Sequence, residues 1–162
     1  MYRIAIITAS DKGSRGERED ISGQTIREAC REFGEVTSYE VLPDERAQLA
    51  AAMCKICDED RADVIFTTGG TGFSPRDVTP EATMDVIERL APGIPEAMRA
   101  KSLQITDRAM LSRAAAGIRK QTLIVNLPGS PKAVKECIEV ILPALKHGID
   151  ILRGTDGECA RQ

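Results

Sequence analysis

Apolar residues in this chain fall into short unbroken runs, separated by longer stretches where they recur every three or four positions. The runs at residues 2–8 (YRIAIIT), 36–42, 62–68 and 122–127 read as strands, most of them too uniformly apolar to face water on either side. Between them lie helical patterns. Residues 22–33 carry Ile26, Ala29, Cys30 and Phe33 on one stripe, with Gly34 as the expected stop. Residues 44–60 carry Leu49, Ala52, Met53, Ile56 and Cys57, strongly helical from Glu45 on. A third helix is expected over 79–90, with Thr79 as N-cap, Pro80 as first helical residue and Glu81 as first-turn acid.

Pro92 and Pro95 punctuate the next turn, and 96–105 predicts a short helix. Residues 114–120 and 122–127 read as neighbouring strands joined by a tight turn. Ser130-Pro131 repeats the helix-start signal. It opens a helix whose apolar positions Val134, Cys137, Ile138, Ile141, Leu142, Leu145, Ile149 and Leu152 keep helical spacing, with a bend expected at Pro143. The polar stretch 10–20 reads as a long loop. This alternation predicts an α/β fold, three layers α/β/α around a mostly parallel sheet with right-handed connections. No repeat or linker divides the chain, so one domain is expected over 1–153, followed by a polar, frayed tail at 154–162.

Composition narrows the function classes. A chain of 162 residues can bury roughly 68–70% of its unfolded surface without staples. With 25 Asp plus Glu against 22 Lys plus Arg, and only three Phe, two Tyr and no Trp, it offers neither a basic face nor stacking platforms for nucleic acid. No run approaches the ~20 apolar residues of a membrane span and no signal segment opens the chain, so a cytoplasmic protein is expected. Five cysteines, odd in number and irregular in spacing, suit a reducing compartment. Cys54 and Cys57 form C-x-x-C, but they fall on the 45–60 helix, where Cys57 belongs to the apolar stripe and Cys54 borders it. His147, the only histidine, lies in the last helix and reads as structural.

The chemistry concentrates in residues 67–83, TTGGTGFSPRDVTPEAT. An apolar strand runs into Gly69, Gly70 and Gly72, which let the backbone approach a ligand with its N–H groups uncovered, and a helix N-terminus follows. A phosphate suits such a turn. No Gly-Lys-Ser/Thr follows it and no G-x-G-x-x-G occurs, which excludes an ordinary P-loop or dinucleotide fold and counts against a nucleotide-hydrolysing regulator. If the strands are parallel, Ser10-Asp11, Pro43-Asp44, residues 69–77 and residues 126–130 all leave the sheet on one edge and line one crevice. There Asp44 and Asp77 suit a hard divalent cation, although each also suits an N-cap. Arg76 suits a phosphate or plain solvation. Asn126, Gly129 and Ser130 form a second potential anion nest, or a plain cap. For Ser112 and Arg113 the residues alone decide nothing, and Lys120 and Lys132 read as solvated.

The 67–83 run resembles the signature of the molybdenum-cofactor biosynthesis family, the MogA and MoaB type proteins and the G domains of fusions such as gephyrin. ITASD (7–11), DISG (20–23), LPDE (42–45), MLSRAAAG (110–117) and NLPGSP (126–131) resemble it too, in order and over nearly the whole chain. The resemblance implies a molybdopterin adenylyltransferase. The terminal phosphate of molybdopterin attacks the α-phosphorus of ATP, giving molybdopterin-AMP and pyrophosphate with Mg2+ as cofactor. It places the magnesium-coordinating aspartates on Asp44 and Asp77, and an active-site serine on Ser112. Substrate-binding positions are then expected at Ser10, Asp11, Gly69, Gly70, Thr71, Gly72, Arg76, Asn126, Pro128, Gly129 and Ser130. It further implies a homotrimer or larger ring, and a molybdenum-insertion enzyme as a possible partner. Some MoaB-type relatives depart from the Arg-Asp pair that Arg76-Asp77 retains, which favours activity over the alternative, a molybdopterin-binding scaffold without turnover.

Overall fold

The computed structural model describes residues 1–155. Six strands form one sheet in the order β2-β1-β3-β6-β5-β4. β1 (Tyr2–Ala9), β2 (Gly34–Leu42), β3 (Val64–Thr68) and β6 (Thr122–Leu127) are mutually parallel, while β5 (Ala116–Arg119) and β4 (Arg89–Leu90) close one edge antiparallel. Alternation along each central strand divides the core into two halves. Ile4 and Ile6 of β1, Val64 and Phe66 of β3, and Leu123 and Val125 of β6 pack under α2 (Ile21–Ala29), α5 (Gly93–Leu103) and α6 (Pro131–Arg153). Ala5, Ile7, Ile65 and Ile124 face the other way, under α3 (Arg46–Asp58) and α4 (Thr79–Val86). The expected three-layer architecture is the observed one.

The departures are local and have physical causes. The expected 10–20 loop contains a one-turn helix, α1 (Asp11–Ser14), capped by the Ser10 hydroxyl accepting from the Gly13 amide at 2.9 Å. Gly34 is the first residue of β2 rather than a helix stop, because α2 already ends at Ala29. A Cβ at Gly34 would stand 2.3 Å from the Tyr2 carbonyl, so the glycine serves the strand contact. The helix expected to reach residue 90 stops at Val86: Ile87 is extended, and the amides of Glu88 and Ala91 donate to the Ile118 and Ala116 carbonyls at the edge of β5. The extended segment pairs the Ile118 and Ala116 carbonyls of the β5 edge, which a continued helix would leave unpaired.

α5 begins at Gly93, three residues ahead of its expected start, and a 3₁₀ turn not foreseen spans Asp107–Leu111. α6 continues through Pro143, whose ring lies on the exposed side. At its end Gly154 takes the left-handed conformation at φ +70°, and the Thr155 hydroxyl bonds back to Asp150, so these two residues of the expected tail cap the helix. Residues 156–162 of that tail lie outside the described residues. No described helix is long and apolar enough to cross a membrane.

Candidate active site

The parallel order sends the loops after β1, β2, β3 and β6 to one edge. β1 and β3 are neighbours whose chain connections depart in opposite directions, toward the β2 side and toward the β6 side, which opens a crevice between them. A cavity of about 770 Å³ occupies that crevice. It collects Ser10 and Asp11 from the first loop, Asp44 from the second, Gly69, Gly70, Arg76 and Asp77 from the third, and Gly129 from the last.

The glycines are required by backbone geometry. Gly69 and Gly70 have φ of +88° and +69°. A Cβ on Gly69 would stand 2.5 Å from the Ala9 carbonyl, and one on Gly70 would stand 2.3 Å from the Thr79 hydroxyl and 3.3 Å from Asp44 Oδ1. Bare backbone is therefore what fits between β1 and the start of α4. Among the described residues the amides of Gly70, Thr71 and Gly72 donate to no protein acceptor, which leaves three successive donors in one turn. Across the crevice, the Thr68 and Ser22 hydroxyls donate to the Pro128 and Gly129 carbonyls at 2.7 and 2.6 Å. That turns both carbonyls inward at the mouth of α6.

Neither aspartate of the expected metal pair caps the helix that follows it. α3 is preceded by Glu45 and α4 by Val78, both without a side-chain cap bond, so Thr79 is not the cap either. Asp44 and Asp11 instead exchange bonds: Asp44 Oδ2 accepts from the Asp11 amide and Asp11 Oδ1 from the Asp44 amide, both at 3.0 Å. Asp77 Oδ2 accepts from the Ser74 amide at 3.0 Å and lies against Gly72. Burial pushes the Asp44 carboxyl above its ordinary value, and the Asp11 and Asp77 charges push it further, against the Asp11 amide. Asp11 goes the other way. The Arg76 guanidinium holds it below the usual range, with the Asp44 amide adding to the effect. Arg76 spans Asp11 at 3.0 Å and Glu45 at 2.8 Å through Nε and Nη2, which leaves its Nη1 donors for an anion.

Ser112, Thr71, Gly72 and Pro128 border a second, more apolar groove of about 280 Å³, on the α5–α6 side of the glycine turn. Ser112 closes the 3₁₀ turn, and its hydroxyl accepts from the Ala114 amide at 3.3 Å. The expected single crevice is thus two depressions lined by successive parts of one turn, Gly69 and Gly70 in the larger and Thr71 and Gly72 in the smaller. Asn126 lies in neither. It is fully buried, donating to Thr67 and Thr83 hydroxyls at 3.0 and 2.8 Å and accepting from the Ala115 amide, so it ties β6 to β3 and α4 rather than forming an anion nest. Ser130 is the N-cap of α6, accepting from the Ala133 amide at 3.2 Å.

Several contributors went unassigned by sequence reasoning. Arg113 donates to the Gly72 and Asp77 carbonyls at 2.8 and 2.7 Å and pairs with Glu81, so it clasps both ends of the 72–77 loop to α4. Asp20 accepts from the Thr8 hydroxyl at 2.6 Å, from Tyr39 and from the Gly23 amide, which fixes the rim where Lys12 and Arg18 also stand. The DISG and MLSRAAAG motifs contained Asp20 and Arg113, but only the fold shows what their side chains reach.

With this geometry in view, the chain belongs to a known family: residues 5–147 match the one described as a probable molybdopterin binding domain. The molybdopterin adenylyltransferase of Helicobacter pylori strain J99 is 44% identical over 93% of this chain and 88% of its own. The Escherichia coli K12 protein of the same name is 41% identical over 91% and 79%. Among solved structures, the molybdopterin biosynthesis enzyme MoaB from Thermus thermophilus superposes with a TM-score of 0.88 at 46% identity, covering 95% of this chain and 98% of that one.

Proposed function

We propose that this protein is a molybdopterin adenylyltransferase, transferring AMP from ATP to the terminal phosphate of molybdopterin. The observation that carries the reading is the glycine turn with free amides at the β1/β3 crevice, flanked by Asp44 and Asp77 and with a cavity on either side. A transfer between two substrates calls for two sites that meet. The larger, more polar cavity suits the nucleotide and the smaller, more apolar groove beside Ser112 suits the pterin, so their phosphates meet at the 69–72 backbone.

Two carboxylates, Asp44 and Asp77, line the cavity beside the glycine turn. That donor set fits Mg2+, which is commonly held by one or two carboxylates together with substrate phosphates. Asp44 and Asp77 would hold it, and Asp44, raised by burial and by two neighbouring carboxylates, is relieved by a cation. When bound, the cation would supply neutralisation of phosphate charge. The free amides of residues 70–72 bind phosphate oxygens, and Arg113 keeps the Asp77 loop in place. An oxygen of the pterin phosphate forms the new bond to the α-phosphorus as the bond to the pyrophosphate oxygen breaks, so no protein nucleophile is required.

The oligomer we propose is a homotrimer or larger ring. It is supported by the exposed apolar side chains of Leu103, Ile105, Met110 and Leu111 along residues 103–111, and sedimentation that finds only monomer would remove it. The product, an activated phosphoanhydride, suits a molybdenum- or tungsten-inserting enzyme as its consumer, in the cytoplasm where ATP is supplied. The test uses molybdopterin, MgATP and purified protein: label at the α-phosphate should appear in the pterin and label at the γ-phosphate in pyrophosphate. Pterin binding with no label transfer would make the protein a scaffold, and release of free phosphate alone would make it a hydrolase.

A further inference from the structure

Two buried side-chain oxygens among the described residues lack a partner, Thr79 Oγ1 and Glu81 Oε2. Glu81 pairs with Arg113 through its other oxygen, whereas the Thr79 side chain has no hydrogen bond at all and is fully buried. A sealed, unpaired hydroxyl is destabilising relative to a methyl group of the same shape, because it gives up its hydrogen bonds to water and gains none. Its position is specific. The point beside Gly70 Cα that a Cβ would fill lies 2.3 Å from Thr79 Oγ1 and 3.3 Å from Asp44 Oδ1. The other Asp44 oxygen is taken by the Asp11 amide, while Oδ1 has no protein donor among the described residues. The Thr79 amide is itself engaged, donating to the Gly70 carbonyl at 3.1 Å, so hydroxyl, glycine turn and carboxylate form one unit.

We propose that Thr79 is a positioning residue, whose hydroxyl donates to Asp44 Oδ1 once nucleotide and cation draw that carboxylate toward the glycine turn. Buried beneath Gly70, the hydroxyl acts through Asp44 and never touches substrate. The empty protein carries an unmade hydrogen bond and the loaded protein makes it, so part of the binding energy goes into fixing the carboxylate. This rests on the adenylyltransferase reading of the cavity.

The experiment compares wild type with Thr79→Val, which keeps the shape and removes the hydroxyl, and Thr79→Ser, which keeps the hydroxyl. Without ligand, Thr79→Val should melt at or above the wild-type temperature. With MgATP, its affinity measured by thermal shift should be about tenfold weaker than wild type, and turnover should fall about tenfold while pterin affinity stays unchanged. Thr79→Ser should restore both. A Thr79→Val protein less stable than wild type in the empty state, or one that binds MgATP as tightly as wild type, would overturn the inference, as would a Thr79→Ser protein as weak as Thr79→Val. Wild type that MgATP fails to stabilise at all removes the adenylyltransferase reading and this inference with it; normal wild-type binding with an unaffected Thr79→Val removes this inference alone.

Discussion

Replacing Arg113 with Lys keeps the charge but discards the planar fork that holds the glycine loop. Three side-chain bonds are at stake: to the Gly72 carbonyl, to the Asp77 carbonyl and to the Glu81 carboxylate. A bond involving a charged group contributes roughly 1.5–3 kcal/mol. That is a ceiling here, because Arg113 and Glu81 are about a third exposed and water replaces part of what is lost. A lysine offers one donor point, so it retains a single contact of the three. The expected loss is about 2 kcal/mol, or a fall in Tm of roughly 4–8 °C for a chain of this size. Thermal unfolding reads the total, and amide exchange across residues 71–77 reads where it falls. Faster exchange there, with the β1 and β3 core unchanged, is the expected pattern. A Tm within about 1 °C of wild type with unchanged loop protection would refute the clasp, since such a result is ordinary for a surface substitution.

Two further expectations concern the cysteines and a surface ion pair. Burial pushes the Cys30 and Cys57 thiols up to about 12 and raises Cys137 as well, so brief alkylation of the native protein near pH 8 should label half-buried Cys54 first among the described cysteines; Cys57 reacting as fast would contradict its core placement. Asp58, bonded to Arg119 and then to Lys120, is held down at about 2. Its folded value lies below its unfolded one, so the stability it contributes is complete above about pH 4 and is lost as pH falls through about 2. A carboxyl resonance of Asp58 titrating near 4 would remove that pairing.

The fold was legible in the sequence wherever one physical signal dominated. Uniform apolar runs marked the central strands, and the Leu49–Met53–Ile56–Cys57 stripe marked the face α3 buries. Boundaries failed where tertiary partners overruled local pattern. Residues 87–90 continue a helical sequence, yet the open edge of β5 captures them. Asp44 looks like an N-cap in the sequence, but its carboxylate is taken by the Asp11 amide from another loop. Asn126 sits in a motif rich in anion-binding features and turns out to be a core polar group, because nothing local reveals that Thr67 and Thr83 surround it. Local chemistry identified the candidate ligand-binding backbone; long-range contacts decided which side chains face it. Arg113 and Thr79 belong to the second kind, and the division into two cavities follows from it.

AMP transfer in this cavity depends above all on the charge at Asp77, whose Oδ2 accepts the Ser74 amide beside the glycine turn. Asp77→Asn preserves an acceptor for that amide, and so the loop, while removing the negative charge. The decisive measurement is molybdopterin-AMP formation by folded Asp77→Asn protein, with pterin affinity taken on the same preparation. Turnover should fall at least about a hundredfold, on the order of 3 kcal/mol of lost electrostatic stabilisation, with pterin affinity retained. Wild-type turnover from the folded variant would contradict the assignment of this cavity as the place where AMP is transferred.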